Sequence, residues 1–144
     1  ILSCTGRPTC YLRTTESHKD YTLLVEFRYT KTLGNAGLLV HITGPDKVWP
    51  KSIEPNLNVN QMGKFYFIGG AKADTTKNPL QKIDLPVGQW HRYEITCKAD
   101  TFEAVRDGRL VNRVTNANVT AGHIGIQSEG VPTQFRTVAI KPAN

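Results

Sequence analysis

The chain alternates apolar and polar residues with a period of two along most of its length, and helical periodicity is nearly absent. In "YTLLVEFRY" the set Tyr21, Leu23, Val25, Phe27 and Tyr29 falls on one face, with Thr22, Leu24, Glu26 and Arg28 on the other. Such alternation predicts a half-buried strand. "AGLLVHIT" places Leu38, Val40 and Ile42 on one face and Leu39, His41 and Thr43 on the other. "KSIEPNL", "GKFYFIGG", "QWHRYEITCKA", "GHIGIQSE" and "QFRTVAIK" read the same way. "FEAVRDGRLVNRV" carries Asp107-Gly108 between two strand segments, a strong hairpin signal. About nine short strands separated by Gly, Pro, Asn and Asp predict an all-β antiparallel sandwich or jelly roll. The polar stretch from Ala71 to Gln81 reads as one long surface loop.

The 144 residues are enough for one domain, read as a single β-sandwich over residues 1–144. No run approaches the roughly 18 apolar residues of a membrane span. The formal charge is +6, but the basic residues are scattered and the aromatic ones do not interleave with them, which argues against a nucleic-acid partner. Of three cysteines, Cys97 in "YEITC" reads as a small buried hydrophobe. Cys4 and Cys10 are near enough in sequence to pair in an oxidising compartment. No basic segment followed by an apolar run opens the chain, so no signal peptide is expected at its start.

Alternation also places the polar residues. In "KSIEPNL" the apolar set Ile53, Pro55, Leu57 turns Glu54 and Asn56 to the opposite face; Ile124 and Ile126 do the same for Gln127 and Glu129. By this rule His41 also points away from the core. If the strands share a sheet, these residues line its outer face together with Glu26 and Arg28. Carboxylates and planar amides hydrogen-bond sugar hydroxyls, and an aromatic ring covers a sugar's C–H face, so Trp49 is the candidate platform. A solvated sheet face is the plainer reading of the same pattern. Glu54 is open to several roles: general base, nucleophile, metal ligand, or ion-pair partner of Lys51 or an arginine. Glu129 is the one carboxylate nominated to stand with it, at the roughly 5 to 9.5 Å that a two-carboxylate glycosidase needs. His91 and His123 read as structural. Zinc-peptidase, serine-hydrolase, phosphate-loop and calcium-loop patterns are absent.

"PTCYLRT", "DYTLLVEFRY", "GNAGLLVHITGPDKVWPKSIE", "FYFIGG", "PVGQWHRYEITC", "DGRLVN" and "GHIGIQSEGVPTQFRTVAIKP" resemble, in order and spacing, the 3-keto-disaccharide hydrolase domain family. The resemblance implies a concanavalin A-like jelly-roll β-sandwich of two antiparallel sheets in an exported bacterial protein, extracellular or periplasmic. It further implies cleavage of glycosides whose C3 hydroxyl is oxidised to a ketone, with a carbohydrate as ligand or substrate; a non-catalytic, lectin-like module is the alternative. Carried over to this chain, the family's positions fall on Glu54 as base or metal ligand, His41 as second polar partner and Lys51 as oxyanion stabiliser. Trp49, Arg28, Asn56, Gln127 and Glu129 would bind the sugar, and a divalent metal ion is a candidate cofactor. Three departures stand out: Pro55 and Asn56 follow the glutamate where a small apolar residue and glutamine are usual, and Lys64 replaces a typical acid. The family's usual N-terminal strand is also missing from the sequence.

Overall fold

The computed structural model describes residues 1–75 and 84–144, and these are all β. Twelve strands follow in chain order: β1 (Leu2–Cys4), β2 (Cys10–Arg13), β3 (Tyr21–Tyr29), β4 (Leu38–Thr43), β5 (Lys51–Pro55), β6 (Phe65–Ile68), β7 (Asp74–Thr75), β8 (His91–Lys98), β9 (Thr101–Arg106), β10 (Arg109–Thr115), β11 (His123–Ser128) and β12 (Thr133–Pro142). They form two antiparallel sheets, one ordered β1-β12-β3-β8-β9-β10-β7 and the other β2-β11-β4-β5-β6.

Nine of these strands are those the alternation predicts. The additional ones, β1, β2 and β7, are short edge strands of two to four residues, held by backbone pairing with β12, β11 and β10. β7 also corrects the single-loop reading of Ala71 to Gln81; residues 76–83 of that stretch lie outside the described ones.

The core forms where the predicted faces meet. Leu23, Val25 and Phe27 from β3, Tyr93, Ile95 and Cys97 from β8, and Phe102 from β9 pack against Leu38, Val40, Ile53, Ile124 and Ile126 of the other sheet, all buried. Asp107 and Gly108 make the two-residue β9–β10 turn with φ of 45° and 81°, and Arg106 pairs with Arg109 across it. That left-handed backbone is what Asp-Gly supplies at low cost.

One segment breaks the alternation. Between the pairs Ile42–His123 and Leu39–Gly125, β4 holds one residue more than β11, a β-bulge, and His41 takes φ of 52°. An extra residue shifts the phase by one and exchanges the faces beyond it. His41 therefore turns into the core, correcting its predicted outward face. Its ring centroid lies 5.0 Å from Phe102 and 5.6 Å from Tyr21, and Nδ1–H donates to the Val119 carbonyl at 3.2 Å. Burial holds its pKa below the usual histidine value, so it stays neutral. Ile42 goes the other way, with Cδ1 2.9 Å from where a Cβ on Gly125 would stand.

Candidate functional site

The site grows from β5. Ile53 faces the core, so Glu54 faces out, beside its β6 partner Tyr66. Beyond the strand, Asn56 bridges to Gly37, and Leu57 N–H donates to the Ala36 carbonyl. These bonds continue the β4 pairing, so Gly37 lies in the sheet beside Asn56 and carries Asn35 to the same edge of the site. The end of β11 approaches from the same side, where Gln127 N–H donates to the Gly37 carbonyl at 2.9 Å. Gln127 and Glu54 crowd together over Gly37, which has no side chain, and Glu54 is only 5% exposed.

The result is a cavity of about 620 Å³ whose lining includes Glu54, Asn56, Asn35, Glu129, Tyr66 and Trp49. Its carboxyl groups are joined by amides. Asn56 Nδ2 donates to Glu54 Oε1 at 2.9 Å and to Asn35 Oδ1 at 3.2 Å; Asn35 Nδ2 donates to Glu129 Oε2 at 2.9 Å. Asn56 Oδ1 accepts the Asn58 N–H at 2.7 Å, so the amide has a fixed orientation. Desolvation pushes the Glu54 carboxyl up to about 7; the Asn56 bond opposes this and the nearby Glu129 adds to it. Glu129 is also raised, mainly by burial. None of the described residues that line the cavity is cationic. The arrangement therefore keeps one buried carboxyl near neutrality, where it can hold or release a proton at physiological pH.

Trp49 enters from the β4–β5 loop and is 42% exposed, so a ring face remains available to a ligand. The loop is tethered at Asp46, whose carboxylate accepts the Tyr11 hydroxyl and pairs with Arg13 Nε at 3.2 Å, both on β2.

Of the residues selected from sequence, Glu54, Asn56, Trp49 and Glu129 come together here. Gln127 lies just behind them: its Oε1 stands where a Cβ on Gly37 would be, and Glu54 Oε1 is 2.7 Å from that point. His41 sits on the opposite side of the sheet in the core. Lys51 shares the Ile53 side of β5 and does not line the cavity. Arg28 belongs to the other sheet; its Nε donates to Gln134 Oε1 at 2.9 Å and its guanidinium lies 4.6 Å from the Trp90 ring centroid. Glu26, on the same outer face, pairs with Arg136 at 2.8 Å. The sharing of one sheet by Glu26, Arg28 and Glu54 is therefore corrected: β3 and β5 lie in different layers. Lys64 packs its ammonium 4.5 Å from the Tyr66 ring centroid.

Asn35 and Tyr66 were not selected from sequence. Tyr66 was findable, since alternation with Phe65 and Phe67 turns it outward. Asn35 gave no signal, because it reaches Glu129 only through tertiary pairing of a loop.

The sandwich is shared with a protein assigned as a glycosyl hydrolase from Parabacteroides distasonis ATCC 8503, at a TM-score of 0.76 and 17% identity over 94% of this chain and 84% of that one. It is shared too with a carbohydrate-binding module of Bacillus subtilis, at 0.74 and 16% over 95% and 83%. The galectin LEC-6 of Caenorhabditis elegans is more distant, at 0.56 and 11% over 96% and 94%. At these identities the likeness is one of fold, a jelly-roll sandwich. No curated protein sequence matches the chain. A family match is found, however, and it spans residues 1–141: the chain belongs to the 3-keto-alpha-glucoside-1,2-lyase-like domain family.

Proposed function

We propose that the cavity takes a glycoside bearing a ketone at C3, and that Glu54 removes the C2 proton to start loss of the C1 substituent. Family membership supports the substrate class. The observation that carries the mechanism is the single deeply buried carboxyl on the cavity floor, raised to about 7 and fixed by Asn56. A C3 ketone acidifies the C2 proton, so one base of this kind suffices to begin. The electron pair from C2 moves into an enolate, returns to re-form the ketone and expels the C1 oxygen, leaving a C1–C2 double bond. Water adding at C1 completes net hydrolysis. Glu129, held by Asn35, would accept hydrogen bonds from sugar hydroxyls, and the departing oxygen would take its proton from water. Asn35 uses one Nδ2 hydrogen on Glu129 and retains the other for a substrate oxygen. Trp49 covers the sugar's apolar face.

Among the described residues no group of three or more His, Cys, Asp or Glu side chains converges as a metal site. The oxygen donors present, two carboxylates and the unpartnered Gln127 Oε1, suit only a hard cation. Such an ion would be held by Glu129 together with substrate oxygens, leaving Glu54 free as the base, and would supply positive charge to the enolate oxygen. Export from the cell is part of the same proposal and rests on the family resemblance alone.

The reading is tested by release of aglycone from a chromogenic 3-keto-glucoside and from its unoxidised glucoside, with and without chelator. Turnover of the keto form alone supports it, and chelator sensitivity adds the ion. The second reading, a binding module, draws on Lys64, which stands beside Tyr66 where the family resemblance expects an acid. Tight binding of both sugars without turnover of either would establish that reading instead.

The Asp46 tether yields a separate expectation. Asp46→Ala frees the Trp49 loop, so sugar affinity drops by about fivefold, the size of effect an exposed ion pair supports. Tryptophan fluorescence titration measures it, and kcat should hold because Asp46 lies outside the cavity.

A further inference from the structure

Between Thr5 and Thr9 the chain crosses from β1 in one sheet to β2 in the other, at the edge of the sandwich. A cysteine stands at each end. Cys4 closes β1 opposite Thr133 and is partly buried; Cys10 opens β2 opposite Ser128 and is exposed. Both are free thiols, and both line one cavity of about 370 Å³ together with Ser128 and Ile126. Burial, and then the proximity of Cys10, push the Cys4 thiol up.

The turn between them is bonded to the segment that carries Glu129. Gly6 N–H donates to Ser128 Oγ at 3.1 Å, and Gly130 N–H donates to the Gly6 carbonyl at 2.8 Å. A Cβ on Gly6 would lie 2.6 Å from Val131 N, so the two backbones are in direct contact. Glu129 is thus braced through both its chain neighbours by Gly6, which lies between the two cysteines.

We propose that Cys4 and Cys10 form a reversible intrachain disulfide that clasps the two sheets at this edge and stiffens the support of Glu129. With glutathione disulfide as oxidant, the exposed Cys10 thiolate attacks one sulfur and expels a glutathione thiolate, leaving a mixed disulfide. Cys4 then loses its proton, and its thiolate attacks the Cys10 sulfur and expels the second glutathione. Two protein thiols become one disulfide, glutathione disulfide becomes two glutathiones, and the two protons released by the cysteines end on them.

The test uses the full chain, incubated with glutathione disulfide and followed by intact mass, thiol titration and amide hydrogen exchange, none of which requires a sugar. The denatured protein should fall from three titratable thiols to one, Cys97, and the monomer should lose the mass of two hydrogens, reversibly with dithiothreitol. Exchange at Ser128 to Gly130 should slow several-fold. Cys4→Ser should instead stop at a glutathione adduct on Cys10. A stable adduct on the parent chain, a disulfide-linked dimer, or exchange that does not change on oxidation would each overturn the proposal while leaving the reading of the Glu54 cavity intact.

Discussion

Glu54→Gln should lower turnover of a 3-keto-glucoside by about a thousandfold, the range general-base removal reaches, while sugar binding is retained. Glutamine keeps the shape and the acceptor for Asn56 Nδ2 but cannot take the C2 proton. In the parent, kcat should rise with pH through about 7, because the base works only when ionised and burial raises its pKa to that value. Glu129→Gln removes the like charge that helps raise it, so the midpoint should move down. Stability runs the opposite way. The carboxyl binds a proton more tightly folded than unfolded, so its contribution is fully present below its ordinary value of 4.5 and is lost as pH rises to about 7. The loss is on the order of 3 kcal/mol. Glu54→Gln escapes it and should melt above the parent at pH 8. Turnover within tenfold of the parent would remove Glu54 from the chemistry, and a melting temperature that tracks the parent's from pH 5 to 8 would show that its carboxyl is not strained.

The sandwich was legible wherever a strand is half-buried, because side-chain period and burial then coincide: β3, β8 and β11 follow the predicted faces residue by residue. It was illegible where backbone pairing alone makes the strand, as at β1, β2 and β7, or where a bulge changes phase, as at His41. The candidate site divides along the same line. Glu54 follows from alternation within β5, and Asn56 and Glu129 from the same alternation carried one residue past the ends of β5 and β11. The exclusion of Arg28 depends on which sheet β3 joins, and the arrival of Asn35 on a bridge between Gly37 and Asn56. Both are long-range pairings, and no local pattern records them. What makes the outer face a site is the crowding of Glu54 and Gln127 over Gly37, together with the loop residues Asn35, Trp49 and Glu129 beside them.

The site's tightest point is Gly37, where the second large effect is expected. Gly37→Ala should reduce kcat by about a hundredfold, because an ångström-scale displacement of a catalytic group costs that much. Gly37 has no positive φ, so alanine fits the backbone. The conflict is with side chains: the new methyl would occupy the place of Gln127 Oε1, 3.0 Å from Gln127 Cδ and 2.7 Å from Glu54 Oε1. Gln127 is 2% exposed and cannot swing into solvent, so the strain falls partly on the Glu54 carboxyl. Overpacking of this kind costs about 1 to 3 kcal/mol, and the melting temperature should drop accordingly. Gln127→Ala in the same chain opens the space again. If the clash is the cause, the double variant regains stability and much of the activity, a strongly non-additive pair. A Gly37→Ala protein as active as the parent would mean that Gln127 and Glu54 have room the structure denies them, and the fixed orientation of the base would have to be given up.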